Sequence, residues 1–329
     1  MDSTGRMLLD RLQRSFPLVP DPFSALAEGL GIDGGEVRRR IGLFKQDKLM
    51  RQISAIFNTG ALGYRSSLVA MSVPEGNLES AVAAVNRYPG VSHNYLRPDT
   101  YNVWFTIAVP PGQQLEKVVQ DLSEAAGGWP TLILPAVRKY KLAVVLDVLE
   151  EGEGDNGEER SDELPPVEAW SAFQPTDENI RVVRCIQEDL PLVERPFRAW
   201  AEALDISEDA LLDLISGWLD RGVIRRFAAV LNHRQVGFNA NGMVVWNCPL
   251  HLVDECGRAL ASHAEVSHCY HRPTHPGWPY NLYAMVHGRS VEDCRKIAEK
   301  LGAAIGRDDF KILFSTREFK KIRLKLFWS

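Results

Sequence analysis

Two short segments place histidine, tyrosine and arginine at every second position: His93, Tyr95 and Arg97 in VSHNYLRP, and His268, Tyr270 and Arg272 in VSHCYHRP. In a strand, side chains alternate between faces, so each segment carries all three on one face. Ser92, Asn94 and Leu96 then point the other way, and so does His271, which only the second copy has. The next segments, YNVWF and YNLYA, put Asn102 with Trp104 and Asn281 with Tyr283 on shared faces. Such a surface suits a large, flat polycarboxylate, because aromatic rings cover a π face while arginines pair carboxylates in bidentate fashion. A sheet-to-sheet interface of satisfied polar groups would use the same residue types. Arg51 and Arg225 occupy matching places further upstream, and Lys139 and Lys141 match Lys321 and Arg323. These cations could pair ligand carboxylates or could simply be solvated.

The two segments belong to a repeat that runs through the chain. PLVPDPF at 17–23 recurs as PLVERPF at 191–197, and Leu49-Met50-Arg51 with Asn58, Gly63 and Tyr64 recurs as Val223-Ile224-Arg225 with Asn232, Gly237 and Phe238. VSHNYLRP and VSHCYHRP lie 175 apart, YNVWF and YNLYA 179 apart, so the second half has gained a short insertion around Pro276-Gly277-Trp278-Pro279. RKYKL at 138–142 is matched to KKIRL at 320–324. So many collinear matches indicate duplication or fusion of related chains.

Each half opens with three short helices. In the first, apolar residues recur at helical spacing around Leu8, Phe23 and Val37, and Asp33, like Ser207 in the second half, is placed to cap the third helix. Leu49 to Phe57 followed by Gly63 to Val73 reads as a β-wing. The rest of each half alternates in the order β-α-β-β-α-β, with Val103, Phe105, Ile107 and Val109 facing the helices. The expected fold is therefore α+β, a tandem repeat of winged helix-turn-helix plus ferredoxin-like domain. The expected divisions are 1–62, 63–149, an acidic linker 150–174, 175–236 and 237–329. The two ferredoxin-like sheets are expected to pair with each other inside the one chain.

A net charge of −5 is concentrated in residues 150–168, where nine acids face Arg160 alone. The five cysteines show no CxxC spacing, so no metal site is expected, and a reducing cytoplasm is the expected setting. The apolar stretch from Leu142 to Leu149 is too short for a bilayer span. His233, His251, His263 and His287 are read as surface or structural residues, while His275 is left open between function and loop variation.

The architecture resembles the Lrp/AsnC transcription regulators, which makes DNA binding the first rival reading. A DNA-reading third helix needs excess Lys or Arg to meet phosphates. The second-half helix instead presents Glu208, Asp209, Asp213 and Asp220, although the first carries Arg38, Arg39 and Arg40. No specific DNA complex is expected.

With its doubled layout and its paired VSHNYLRP/VSHCYHRP, YNVWF/YNLYA and RKYKL/KKIRL segments, the chain resembles the siroheme decarboxylases, in particular the fused NirD–NirL type related to the two-subunit Ahb enzymes. The resemblance implies removal of two acetate carboxylates from siroheme to give didecarboxysiroheme in nitrite-reductase haem biosynthesis. It implies no organic cofactor, since the substrate carries its own iron and its own electron sink. On that reading His93, His268 and His271 are proton donors and Arg97 and Arg272 orient carboxylates. Tyr95, Tyr270, Arg51, Arg225, Asn102, Trp104, Tyr283, Lys139 and Lys141 are substrate-binding, and related subunits or a second copy are candidate partners. The alternative is a tetrapyrrole-responsive Lrp/AsnC-like regulator that binds pigment without turning it over.

Overall fold

The computed structural model describes residues 1–142, 173–231 and 240–328. Most of the expected acidic linker, together with His233 and the repeat residues Asn232, Gly237 and Phe238, lies outside them. The chain divides into two units, each built from both halves.

The first unit comprises residues 1–63, 173–231 and 325–328. Its helices are α1 (Ser3–Arg14), α2 (Pro22–Ala27) and α3 (Gly34–Gln46) from the first half, and α6 (Asp177–Ile186), α7 (Pro196–Leu204) and α8 (Glu208–Asp220) from the second. Their starts follow from sequence: Asp2, Asp33 and Ser207 cap α1, α3 and α8 through side-chain oxygens, satisfying backbone N–H groups that a helix leaves free. Strand β1 (Met50–Phe57) pairs antiparallel with β7 (Ile224–Leu231), and Phe16 packs against Phe23, Phe197 and Phe227 beneath this ribbon.

The expected wing is therefore not a local hairpin. Its first strand pairs with its own counterpart, and its second, β2 (Arg65–Met71), lies inside a sheet of the other unit. The physical reason is burial: Val69 and Met71 face one core while Ala70 faces another, and an exposed wing could cover only one face.

The second unit holds two five-stranded sheets. The first half supplies β2, α4 (Leu78–Asn86), β3 (Val91–Leu96), β4 (Val103–Val109), α5 (Leu115–Ala125), β5 (Thr131–Pro135) and β6 (Arg138–Leu142). The second half supplies β8 (Ala240–Trp246), α9 (Val253–Ala261), β9 (Val266–His271), β10 (Leu282–Gly288), α10 (Val291–Ala304), β11 (Phe310–Phe314) and β12 (Arg317–Lys321). The sheet orders are β12-β3-β4-β2-β5 and β11-β8-β10-β9-β6, so each half lends its last strand to the other half's sheet. Val103, Phe105, Ile107 and Val109 face α4 and α5 as expected. The opposite faces pack together through Trp104, Leu132 and Leu134 from one sheet and Val245, Tyr283 and Leu313 from the other, with Trp278 added from the connection between β9 and β10. The expected pairing of the sheets is thus present within the chain.

Strand exchange also corrects one repeat assignment. Arg138, Lys139, Lys141 and Leu142 lie opposite His271, Tyr270, Cys269 and His268; Arg317, Glu318, Lys320 and Lys321 lie opposite Leu96, Tyr95, Asn94 and His93. The structural counterpart of RKYKL is REFKK at 317–321, not KKIRL. Both strands bulge at the aromatic residue, Tyr140 or Phe319, which turns into the helix-side core.

Candidate active site

Strand β3 presents His93 and Tyr95 half-buried, with ring centroids 6.3 Å apart, and ends in buried Arg97. Strand β9 repeats this: His268 and Tyr270 stack at 6.2 Å, and Arg272 lies over Tyr270 at 4.7 Å and over Tyr283 at 5.5 Å. Arg97 sits 5.7 Å over Tyr95. The alternation expected from sequence therefore brings each triplet together.

Both arginines are anchored across the sandwich. Arg97 donates from Nη1 to the carbonyl of Leu313, and Arg272 donates to that of Leu134. Among the described residues neither has a carboxylate partner. Burial draws the Arg97 guanidinium down to about 10 and lowers that of Arg272, and Nε of Arg272 makes no hydrogen bond. A buried guanidinium without a counter-ion is a standing electrostatic cost, which an anionic ligand would relieve.

The histidines are held by a feature that alternation does not reveal. Val91 pairs with Ile107 and His93 with Thr106, leaving Ser92 as an extra residue; Val266 and His268 bracket Ser267 in the same way. These bulges turn the serine towards the histidine of its own strand. Ser92 Oγ lies 2.9 Å from His93 Nδ1 and 3.0 Å from Thr106 Oγ1. Ser267 Oγ lies 2.9 Å from His268 Nδ1, but its second neighbour is His287 Nε2 at 2.6 Å. Sequence reasoning missed both serines and His287. The available signal was that both copies read Val-Ser-His, with serine next to the histidine each time.

Other expected site residues go elsewhere. His271 is on the helix side, opposite Arg138 and Leu282, where burial lowers its pKa against a smaller opposing pull from Asp254. The Asn102 amide accepts from the Val73 N–H and donates to its carbonyl, a backbone clamp that Asn281 repeats on Cys248. Trp104 and Tyr283, 1% and 2% exposed, belong to the core between the sheets. Trp104 donates to the Tyr101 carbonyl, and the Tyr283 hydroxyl, pushed up to about 12 by burial, accepts from Trp278 Nε1 at 2.7 Å. His275 bonds the Ile133 carbonyl. Lys139 lies beside Tyr270 of the other half, whereas Lys141 donates to the His263 carbonyl. Arg51 and Arg225 are on β1 and β7, in the first unit. Among the described residues no cluster of three or more His, Cys, Asp or Glu could hold a metal, and no helix is long and apolar enough to cross a membrane.

This is a doubled regulator-type scaffold, and family models describe it as such. An AsnC-like ligand binding domain matches residues 61–141 and 235–320, and a siroheme decarboxylase NirDL-like HTH domain matches 6–51 and 179–225. Siroheme decarboxylase of Hydrogenobacter thermophilus is 40% identical over 321 residues, covering 97% of this chain and 94% of that protein. The siroheme decarboxylase NirDL subunit of Paracoccus denitrificans is 32% identical over 98% of this chain and 96% of its own. A crystal structure of the siroheme decarboxylase NirDL superposes with a TM-score of 0.80 at 36% identity, over 99% of this chain and 95% of that one. A co-complex of NirDL with an iron-uroporphyrin III analogue superposes at 0.78, also at 36% identity, over 98% and 94%. The chain belongs to the siroheme decarboxylase family.

Proposed function

We propose that this protein removes two acetate carboxylates from siroheme to give didecarboxysiroheme, in nitrite-reductase haem biosynthesis, with histidine as general acid and no organic cofactor. The observation that carries the reading is the pair of buried arginines, Arg97 and Arg272, with no carboxylate partner among the described residues, each against a tyrosine ring that in turn neighbours a half-buried histidine. Guanidinium groups orient the carboxylates of the pigment, tyrosine rings cover part of its π face, and an imidazole donates the proton. Each acetate loses its carboxylate as carbon dioxide, the electron pair of the broken carbon–carbon bond passes into the ring system, and one proton ends on the carbon left behind, which becomes the methyl group. The iron is part of the substrate.

The rival regulator reading has little electrostatic support in the first unit. Arg39 and Arg40 on α3 are paired with Glu36, and Arg40 also with Asp2, while α8 carries Glu208, Asp209, Asp213 and Asp220. Specific DNA binding is therefore not part of the proposal. Anaerobic incubation with siroheme followed by mass analysis of the pigment tests the function. Two successive losses of carbon dioxide are expected; bound but unaltered siroheme together with salt-sensitive retardation of a promoter fragment would establish the regulator instead.

A further inference from the structure

The two histidine strands differ in what stands behind them. In the second half, a continuous hydrogen-bonded chain runs from Asn241 Oδ1 to His287 Nδ1 at 2.7 Å, from His287 Nε2 to Ser267 Oγ at 2.6 Å, and from Ser267 Oγ to His268 Nδ1 at 2.9 Å. In the first half the corresponding path from His93 passes Ser92 to Thr106, a hydroxyl that does not titrate near neutral pH. Asn241 is exposed and its bond to His287 is open to solvent, so the second chain links His268 to bulk water.

Resting on the proposed decarboxylation, we infer that His287 and Ser267 form a proton relay feeding His268, and that the second-half strand is the one that supplies protons to the reaction. The polarity of the chain follows from its ends. Asn241 Oδ1 can only accept, so His287 Nδ1 carries a hydrogen. When His287 is neutral, its Nε2 accepts from Ser267, the serine oxygen accepts from His268 Nδ1–H, and His268 Nε2 holds no proton. When His287 is protonated, Nε2–H donates to Ser267, the hydroxyl donates to His268 Nδ1, and the His268 proton sits on Nε2. In the transfer, one proton leaves His268 Nε2 for the substrate, one arrives at Nδ1 from Ser267, and one passes from His287 Nε2 to the serine oxygen. His287 ends neutral and His268 ends with its proton on Nδ1; before the second delivery solvent recharges His287, and His268 returns to its Nε2–H tautomer by exchanging protons with water. Decarboxylation takes up one proton per carbon dioxide lost, so two losses require two deliveries.

His287 acts through His268 and is a positioning and relay residue, which the test must separate from a merely structural one. His287→Gln keeps an amide able to bond Ser267 and Asn241 but cannot titrate. It is expected to lower kcat roughly tenfold or more, a fraction of the ~10²–10⁴ that general acid catalysis supplies, while siroheme affinity by spectroscopic titration stays unchanged. Ser267→Ala should give a similar loss, the double variant no further loss, and added imidazole should restore His287→Ala. Wild-type kcat in His287→Gln, or an equal loss of siroheme affinity, would overturn the relay even with His268→Ala inactive. Failure of the underlying reading shows differently, as a wild-type protein that releases no carbon dioxide or a His268→Ala variant with full turnover.

Discussion

Arg272 donates to the backbone carbonyl of Leu134, a residue contributed by the other half of the chain, and so serves the β9 strand and the sandwich at once. Arg97 does the same towards Leu313. Each guanidinium keeps further N–H groups, and these are the ones a carboxylate can take.

Arg97→Ala and Arg272→Ala are therefore expected to weaken pigment retention more than the rate of the bound complex. A hydrogen bond to a charged group contributes about 1.5–3 kcal/mol, which corresponds to roughly ten- to a hundredfold in Kd. Siroheme titration of each variant, alongside single-turnover carbon dioxide release, measures both quantities.

The histidines should fail in the opposite way. His268→Ala is expected to slow carbon dioxide loss by ~10²–10⁴ with pigment still bound, and the relay makes His93→Ala the milder of the two. Full turnover in a variant lacking His93, His268 and His271 together would remove histidine from the chemistry.

Gly257 on α9 lies directly under the Tyr140 ring of the exchanged strand β6, whose hydroxyl donates to Asp254 Oδ1 at 2.6 Å. A methyl group there collides with the ring, and overpacking of this kind costs about 1–3 kcal/mol. Gly257→Ala should lower the urea midpoint and speed amide exchange at 138–142, whereas Gly42→Ala, with open space around its added carbon, should do neither.

His271 gives a pH signature. Burial lowers its pKa from 6.5 in the folded protein, so the unfolded chain binds its proton first as pH falls. Its contribution to stability is intact above that value and declines below it until the folded form is protonated as well. Urea midpoints at neutral and mildly acidic pH should differ less in His271→Asn than in the parent.

Much of this arrangement was legible from residue order. Period-two alternation placed Val103, Phe105, Ile107 and Val109 on the helix face and gathered His93, Tyr95 and Arg97 on the other, because both follow from strand geometry alone. Ser92 and Ser267 escaped because a bulge breaks alternation locally. The REFKK counterpart escaped because matching lysines favoured KKIRL, while register is set by Tyr140 and Phe319 packing inward. Nothing local could show that β1 meets β7 rather than β2, since that choice is made by residues about 170 positions away.

Strand exchange also imposes an order on synthesis. β3 needs β12 as its outer neighbour, and the junction between them joins residues 220 apart in the chain, at Leu96 and Thr316. While a nascent chain is still short of β12, the edge bearing His93 and Tyr95 stands open, the kind of template that recruits strands from other molecules. By contrast β6 is made before the sheet it completes and can receive β9 as that strand emerges. The second-half sheet can therefore close first, and the first-half sheet is left waiting for the strand that finishes it.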